Sequence, residues 1–273
     1  MTHSATDIRA LLERHGLAAR KALGQNFVVD PNTVRRIASL SGVGEGDRVV
    51  EVGPGLGSLT LALVEVGARV TAVEMDAELV PILREAVAGH DVEIVEGDAQ
   101  SVDWDAVLAD APSWTLVANL PYNVATPLIL DLLRDVPQIE SMLVMVQLEV
   151  AERLAARPGD SAIGIPSVCV AYHGGAEVVG RGPPTVFHPR PRVDSALVRI
   201  VRHEAPPLDV PFERVEPLIR AAYNQRRKMI RKSLGGLLDE AAIDAAGVDP
   251  TARPETLDLE AWGRLAAALG PAD

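Results

Sequence analysis

The sequence predicts an α/β fold, in which helices cover both faces of a mostly parallel sheet, followed by a small all-helical domain. Two observations lead to this prediction. Short, almost continuously apolar runs alternate with amphipathic segments through the first two-thirds of the 273 residues, which is typical of parallel strands buried on both faces. A Pro-containing stretch then leads into a final part with only helical periodicity. We therefore place one domain at residues 1–205 and a second at residues 206–273.

The first domain is predicted to begin with a cap of helices and loop at residues 1–44. Strands and helices then alternate. The strands are expected at 48–53, 69–75, 91–97, 114–120 and 141–147. The helices are expected at 58–66, 76–88, 126–135 and 148–156. Two more strand-like runs, IPSVCVAY and SALVRIVR at 195–202, predict an antiparallel hairpin at one edge of the sheet.

The second domain is predicted to follow a linker at 203–211, HEAPPLDVP. Four segments beyond it have helical patterns, and none is long. They are FERVEPLIRAAYN, RRKMIRKSLGGLL, DEAAIDAAG and LDLEAWGRLAAAL. We expect them to pack together as a separate helical domain.

The net charge of −12 argues at first against polyanion binding, but the charge is unevenly distributed. The stretch RAAYNQRRKMIRK contains six basic residues and no acidic one. Such a run is either a solvated helix face or a polyanion-binding surface, because binding depends on the local patch and not on the total. The candidate residues are Arg220, Arg226, Arg227, Lys228, Arg231 and Lys232.

Cysteine content and hydropathy exclude several protein classes. Cys169 is the only cysteine, so an internal disulfide and a four-cysteine zinc site are excluded, and no metal site is predicted. The N-terminus lacks the apolar core of a signal peptide, and no apolar run is long enough for a membrane span. A cytoplasmic protein without membrane contact is expected.

A glycine-rich turn follows the first predicted strand in EVGPGLGS, residues 51–58. Gly53 and Gly55 would let a ligand approach the backbone closely. Glu74 ends the second strand, where a carboxylate can accept hydrogen bonds from ribose hydroxyls. Asp98 follows the third strand and can meet an exocyclic amine. NAD and S-adenosylmethionine are both candidate ligands, and the G-x-G-x-G spacing together with Asp98 favours S-adenosylmethionine.

The fourth strand ends in the residues Asn119-Leu120-Pro121-Tyr122, beside the predicted cofactor site. Pro121 favours an extended Leu120, whose carbonyl can then point outward. The Asn119 side-chain oxygen and a main-chain oxygen can together hold an aromatic amino group, and Tyr122 can stack on its ring. A structural strand-to-helix turn with a buried tyrosine is the alternative.

These motifs, taken together, resemble the KsgA/RsmA family of small-subunit ribosomal RNA adenine N6-dimethyltransferases. The resemblance covers nearly the whole chain and includes LGQNFVVD, VVEVGPGLGSLT, AVEMD, EGDA, NLPYNVATPLILDLL, MVQLEVAERLAARPGD, FHPRPRVDSALV and NQRRKMIRKSL. It implies a Rossmann-like methyltransferase domain followed by a small RNA-binding helical domain. The chain departs from the family pattern at Val28, where leucine is usual, and at Leu148, where lysine is common.

The resemblance also implies roles for single residues. Asn26, Val28 and the glycine loop would contact S-adenosylmethionine, with Gly53 beside its methionine part. Glu74 would bind the ribose and Asp98 the adenine amine. Asn119 would lie near both the methyl donor and the target amine, and Phe187 would sandwich the target base with Tyr122.

The implied substrate is a pair of adjacent adenosines near the 3′ end of 16S rRNA in an immature small ribosomal subunit, each dimethylated by a monomeric enzyme. An erythromycin-resistance type of methyltransferase is a close alternative, but the GPGLG loop and RRKMIRKSL match the small-subunit group better. An NAD-dependent dehydrogenase would need a hydride-handling His or a Tyr-x-x-x-Lys, and none of the three lysines of the chain is so placed. An RNA-binding protein without enzymatic activity, built on the same fold, stays open.

Overall fold

The computed structural model describes residues 2–20 and 24–270. Outside the described residues lie residue 1 and residues 21–23 of the predicted N-terminal cap, and residues 271–273 of the predicted helical domain. The chain divides into two compact units. The first contains residues 1–151 and 177–202, and the second contains residues 152–176 and 203–273.

The first unit is built around a β-sheet. The strands of the chain are β1 Phe27–Val28, β2 Arg48–Val52, β3 Arg69–Glu74, β4 Val92–Glu96, β5 Trp114–Asn119, β6 Ile139–Gln147, β7 Gly174–Gly182, β8 Phe187–His188 and β9 Ser195–Arg202. Seven of them form the central sheet, in the order β4-β3-β2-β5-β6-β9-β7. The short strands β1 and β8 pair separately, antiparallel to each other.

Helices lie before and between these strands along the chain. They are α1 Ala5–Arg14, α2 Pro31–Ser41, α3 Ser58–Glu65, α4 Val80–Ala86, α5 Trp104–Val107, α6 Ala125–Asp135, α7 Leu148–Leu154 and α8 Ile165–His173. Strands β2, β3, β4, β5 and β6 are parallel, and β9 is antiparallel to β6. The predicted parallel sheet is therefore confirmed, and the carboxyl ends of β2 to β5 lie at one edge.

The predicted hairpin at the sheet edge is wrong in one of its two strands. IPSVCVAY forms the helix α8, and the neighbour of β9 is instead the glycine-rich β7. The run is buried on nearly all sides, so it shows neither helical nor strand periodicity, and an apolar run of this length does not distinguish the two. Pro166 in the first turn suits a helix start.

Residues 152–176 fall in the first domain of the sequence prediction, but in the structure they belong to the second unit. The packing of α8 gives the reason. The ring centroids of Tyr172 and Phe212 lie 4.9 Å apart, and the Tyr172 hydroxyl donates to the Val210 carbonyl oxygen at 2.9 Å. The apolar face of α8 is thus covered by residues far later in the chain.

The second unit also contains α9 Phe212–Asn224, α10 Ile230–Ser233, α11 Glu240–Ala245 and α12 Leu259–Ala268. Within RRKMIRKSLGGLL only α10 is an α-helix, so the helix predicted there is much shorter than its segment. The amides of Ile230 and Arg231 donate to the carbonyl oxygens of Ala252 and Pro250, at 2.8 and 3.1 Å. Because these donors bond to another segment, the helix cannot continue through Met229.

An apolar cluster packs α1 against β1, α4 and the loop that follows β2. Ile8 and Leu12 on α1 pack with Phe27, Leu56 and Ile82. This packing places the N-terminal part of the chain against the glycine loop that follows β2. Across residues 2–20 and 24–270, no helix combines the length and the hydropathy that a membrane span requires.

Candidate active site

A cavity opens at the carboxyl ends of β2 to β5, with about 1010 Å³ of empty space that includes its mouth. Most of the residues predicted to bind cofactor or target base line it. They are Asn26, Val28, Gly53, Gly55, Glu74, Asp98, Asn119, Leu120, Pro121 and Tyr122. The structure thus brings the predicted cofactor-binding residues and the predicted base-binding residues to one cavity. The role of each residue stays a prediction.

Glu74, at the end of β3, has a carboxylate that the backbone fixes in place. The side chain is buried. The Gly55 amide donates to its Oε2 at 3.0 Å, and the Asp76 amide donates to its Oε1 at 2.8 Å. Burial raises the pKa of Glu74, and these backbone hydrogen bonds oppose the rise. Each oxygen keeps a lone pair for a further donor, such as a ribose hydroxyl.

Gly55 has a conformation and surroundings that suit only glycine. Its φ is +59°, and a Cβ atom built there would lie 2.9 Å from Cε1 of Phe27. A larger residue would be strained and would also displace the Phe27 ring from the cavity wall. The glycine loop therefore brings backbone amides close to the cavity at the amino end of α3.

The residues of the cavity fit S-adenosylmethionine. Asp98, after β4, is half-buried, and the Gln100 amide donates to its Oδ1 at 2.9 Å, which leaves the carboxylate able to accept from an exocyclic amine. Glu74 suits the ribose, and the backbone near Gly53 is open to the amino-acid part. Apolar side chains, among them Leu79, line the space between these polar groups.

Asn119 is the last residue of β5, and one end of its side-chain amide is engaged in a hydrogen bond. Its Nδ2 donates to the Asn26 carbonyl oxygen at 2.9 Å, so Oδ1 is left as an acceptor. Leu120 is buried, and its amide donates to the Met145 carbonyl oxygen at 3.1 Å. Among the residues that the structure describes, no donor contacts Asn119 Oδ1 or the Leu120 carbonyl oxygen. Both oxygens are therefore available to an amino group.

Tyr122 is half-buried in the cavity wall. Its hydroxyl lies 2.7 Å from Oγ of Ser195, a fully buried residue at the start of β9. Burial raises the pKa of Tyr122, although the bond to Ser195 lowers it. The phenol is thus a neutral anchor that sets the orientation of the ring, and it is unsuited to act as a base.

Phe187 does not line the cavity. It is 4% exposed and packs in the core with Val28, Val117 and Leu197. Its backbone pairs with Val28 across β1 and β8. The structure therefore does not bring Phe187 into a stack with Tyr122, and a sandwich of the target base would require the Phe187 side chain to leave this core. Its stacking role stays a prediction.

Glu51, in β2, is a buried acid in the cavity wall to which the sequence assigned no role. It is 1% exposed, and its Oε2 accepts from the Thr60 hydroxyl at 2.6 Å. Burial raises the pKa of Glu51 to about 8, the Thr60 bond lowers it, and the charge of Glu74 raises it further. Glu51 is therefore largely protonated at neutral pH.

Other residues missed from the sequence hold the site together. Ser195 lies in the motif FHPRPRVDSALV but 73 residues from Tyr122, so nothing local links the two. Gln25 and Asp76 lie inside LGQNFVVD and AVEMD, the motifs of Asn26 and Glu74. Their position in those motifs was a usable signal, and Gln25 Nε2 donates to Asp76 Oδ2 at 2.8 Å.

The predicted RNA-binding residues of the second unit divide into two groups. Three are ion-paired within the unit, which reduces the charge they offer to a polyanion. These pairs are Arg220 with Glu216 at 2.6 Å, Arg226 with Glu255 at 3.1 Å and Arg231 with Glu240 at 2.9 Å. The other three, Arg227, Lys228 and Lys232, are exposed.

Known protein sequences resemble this chain along nearly its whole length. A sequence family described as ribosomal RNA adenine dimethylase matches residues 16–269. A ribosomal RNA small subunit methyltransferase A from Nocardia farcinica is 48% identical, over 96% of this chain and 93% of its own. A protein of the same name from Cutibacterium acnes is 47% identical, over 97% of this chain and 93% of its own.

Solved structures show the same fold. The 23S rRNA methyltransferase ErmE is 31% identical, with a TM-score of 0.69 over 89% of this chain and 99% of its own. A dimethyladenosine transferase from Plasmodium falciparum is 24% identical, with a TM-score of 0.71 over 86% of this chain and 94% of its own. The first unit therefore has the predicted Rossmann-like methyltransferase fold.

Proposed function

We propose a specific reaction from the premise that the chain belongs to the ribosomal RNA adenine dimethylase family. The protein is an S-adenosylmethionine-dependent methyltransferase that dimethylates N6 of adenosine in small-subunit ribosomal RNA. The observation that carries this function is the convergence of Glu74 and Asp98 with the Asn119–Tyr122 segment on one cavity. A cofactor site and a base site that share a cavity suit transfer between the two.

The finer assignment of the substrate is also a proposal. The targets are two adjacent adenosines near the 3′ end of 16S rRNA, each dimethylated, in an immature small subunit. The protein acts as a monomer in the cytoplasm. The support is the sequence resemblance across the whole chain, and the exposed Arg227, Lys228 and Lys232 provide charge for the RNA backbone.

Bound S-adenosylmethionine supplies an electrophilic methyl group on a sulfonium. Glu74 would hold the ribose, Asp98 the adenine amine, and the Gly53–Gly55 backbone the amino-acid part. The carboxylate of Glu74 is already oriented by its two backbone donors. A site that is fixed before binding loses little free energy in ordering its own groups.

The target adenine must leave its stack to reach the cavity. Its N6 amine is a poor nucleophile because the lone pair is delocalised into the ring. In the first transfer Asn119 Oδ1 and the Leu120 carbonyl oxygen accept the two amine hydrogens, which favours a tetrahedral nitrogen and directs its lone pair. In the second transfer the methylated amine has one hydrogen left for these acceptors. The ring of Tyr122, anchored by Ser195, supports the base by stacking.

No side chain of the Asn119–Tyr122 segment acts as a general base. The only titratable group there is the Tyr122 hydroxyl, and its raised pKa and bond to Ser195 keep it neutral. The N6 nitrogen becomes acidic only after it has been methylated, so its proton leaves to solvent without a strong base.

Large-subunit RNA is the second candidate substrate, because the similar ErmE structure is that of a 23S rRNA methyltransferase. The test is to supply labelled S-adenosylmethionine with unmodified small subunits, large subunits or naked 16S rRNA, and to map the methylated bases. We expect label at N6 of adjacent adenosines in small-subunit RNA. Label found only in large-subunit RNA would overturn the substrate assignment.

A further inference from the structure

The carboxylate of Asp76 connects the N-terminal loop to the cofactor wall. The residue is 5% exposed and lies just after β3. Its Oδ2 accepts from Gln25 Nε2 at 2.8 Å, and its Oδ1 accepts from an Arg20 guanidinium nitrogen at 3.2 Å. The Asp76 amide donates to Glu74. One buried acid therefore contacts both the loop and the predicted ribose ligand.

The loop continues from Gln25 to the target-base site. The Gln25 Oε1 accepts from the Arg20 amide at 2.8 Å, so the Gln25 side chain is held at both ends. The next residue, Asn26, accepts from Asn119 through its carbonyl oxygen at 2.9 Å. A continuous path of hydrogen bonds and backbone thus joins Glu74, Asp76, Gln25, Asn26 and Asn119.

We infer that Asp76 is a positioning residue that fastens the loop at Gln25 and so sets the cofactor ligand Glu74 and the amine acceptor Asn119 relative to each other. This inference rests on the proposed function for the roles of Glu74 and Asn119. The path itself does not, since every contact in it is between residues of this chain. The predicted consequence is that loss of Asp76 impairs cofactor binding and methyl transfer together.

The chemistry of the contact requires a carboxylate. Asp76 faces two side-chain donors, the Gln25 amide on Oδ2 and the Arg20 guanidinium on Oδ1, and Oδ1 also accepts from the Glu78 backbone amide at 3.2 Å. An asparagine would present one NH₂ group to one of these donors, leaving it without an acceptor. Hydrogen bonds to a charged acceptor are also stronger than neutral ones. Asp76→Asn therefore loosens the loop while it keeps the shape of the side chain.

The experiment compares wild type with Asp76→Asn, Gln25→Ala and the double variant. Calorimetric titration with S-adenosylhomocysteine measures affinity, and the rate on unmodified small subunits at saturating S-adenosylmethionine measures kcat. We expect about tenfold weaker binding and about tenfold lower kcat in each single variant. The double variant should be within twofold of the weaker single one, because both changes remove the same contact.

Glu78→Gln is the matched control. Glu78 is the other acid that pairs with Arg20, and its side chain is 52% exposed. The substitution keeps the backbone amide that donates to Asp76, so affinity and kcat should stay within twofold of wild type. If thermal melting shows that Asp76→Asn is unfolded, the affinity and kcat of Gln25→Ala test the inference instead. Single-variant affinity within twofold of wild type, or weakened binding with unchanged kcat, would overturn the inference. Absence of methyl transfer by the wild type would instead contradict the proposed function, while the affinities would still test the contact.

Discussion

The side-chain nitrogen of Asn119 donates to the backbone carbonyl oxygen of Asn26, 2.9 Å away and 93 residues earlier in the chain. This bond fixes which atom of the amide faces the cavity. With Nδ2 engaged, Oδ1 is the free acceptor, and an acceptor is what an exocyclic amine requires. The N-terminal loop is therefore part of the base site as well as of the cofactor site.

The ring of Tyr122 should matter more than its hydroxyl. Tyr122→Ala removes the stacking face, which costs about 1–3 kcal/mol per base, so methyl transfer to small subunits should fall about 5- to 150-fold. Tyr122→Phe keeps the ring and loses only the bond to Ser195, so its loss should be clearly smaller. Ser195→Ala removes the same bond from the other side and should match Tyr122→Phe. A wild-type rate for Tyr122→Ala would refute the stacking role.

Gly55→Ala should weaken both stability and cofactor binding. Gly42→Ala is the control, because Gly42 has a φ of +77° and no atom within 4 Å of a built Cβ. Each substitution should lower the free energy of unfolding by about 1–2 kcal/mol through backbone strain. Only Gly55→Ala also meets the Phe27 ring, so only this variant should bind S-adenosylhomocysteine more weakly. Denaturant unfolding and calorimetry measure the two effects, and equal affinities in both variants would contradict the account.

Glu51 should make stability depend on pH. Its pKa is raised to about 8 in the folded protein, whereas an unfolded chain has a value near that of free glutamate, roughly 4.3. Between these two values the folded state holds the proton and the unfolded state does not, so stability falls as pH rises, by at most about 1.4 kcal/mol per unit. The stabilising contribution of Glu51 is fully present below the unfolded-state pKa, and it is lost once the pH exceeds the folded-state pKa of about 8.

Glu51→Gln isolates this effect, because an amide of the same shape does not titrate. The free energy of unfolding of wild type, measured relative to Glu51→Gln in urea at a series of pH values, should decrease from roughly the unfolded pKa to about pH 8 and then level off. A difference that stays constant over this range would show that Glu51 has an ordinary pKa.

The exposed cations of the second unit should contribute more to RNA affinity than the paired ones. Single changes of Arg227, Lys228 or Lys232 to Gln should weaken binding to small-subunit RNA. The plot of log affinity against log salt concentration has a negative slope, and its magnitude should decrease by about 0.7–0.9 for each phosphate that is no longer neutralised. Arg220→Gln is the matched control, since Arg220 is already paired with Glu216 at 2.6 Å. Equal slopes for Lys232→Gln and wild type would argue that Lys232 contacts no phosphate.

Local sequence pattern predicted the parallel sheet because continuous apolar runs that alternate with amphipathic helices are typical of strands buried on both faces. It failed for IPSVCVAY, where burial of α8 on nearly all sides removed the periodicity that separates helix from strand. It also failed for RRKMIRKSLGGLL, because the amides of Ile230 and Arg231 bond to residues about 20 positions later, outside any local pattern.

The candidate site was predictable to a similar degree. Glu74, Asp98 and Asn119 follow strands, and the carboxyl ends of parallel strands meet at one edge, so their proximity follows from the topology. The bond between Tyr122 and Ser195, and the one between Gln25 and Asp76, join residues that are 73 and 51 positions apart. Only the folded chain shows such partners. The burial of Phe187 in the core was likewise invisible in its Pro-rich loop.

Quantification of N6,N6-dimethyladenosine in small-subunit RNA, after reaction with wild type or with Asn119→Ala, tests the central claim most directly. Wild type should produce dimethyladenosine, and Asn119→Ala should be at least about 100-fold slower, since it loses an acceptor used in the transition state. Its affinity for S-adenosylhomocysteine should change much less. Asn123→Ala, at an exposed asparagine of the same loop, should react like wild type. Dimethyladenosine formed by Asn119→Ala at the wild-type rate, or none formed by wild type, would contradict the account.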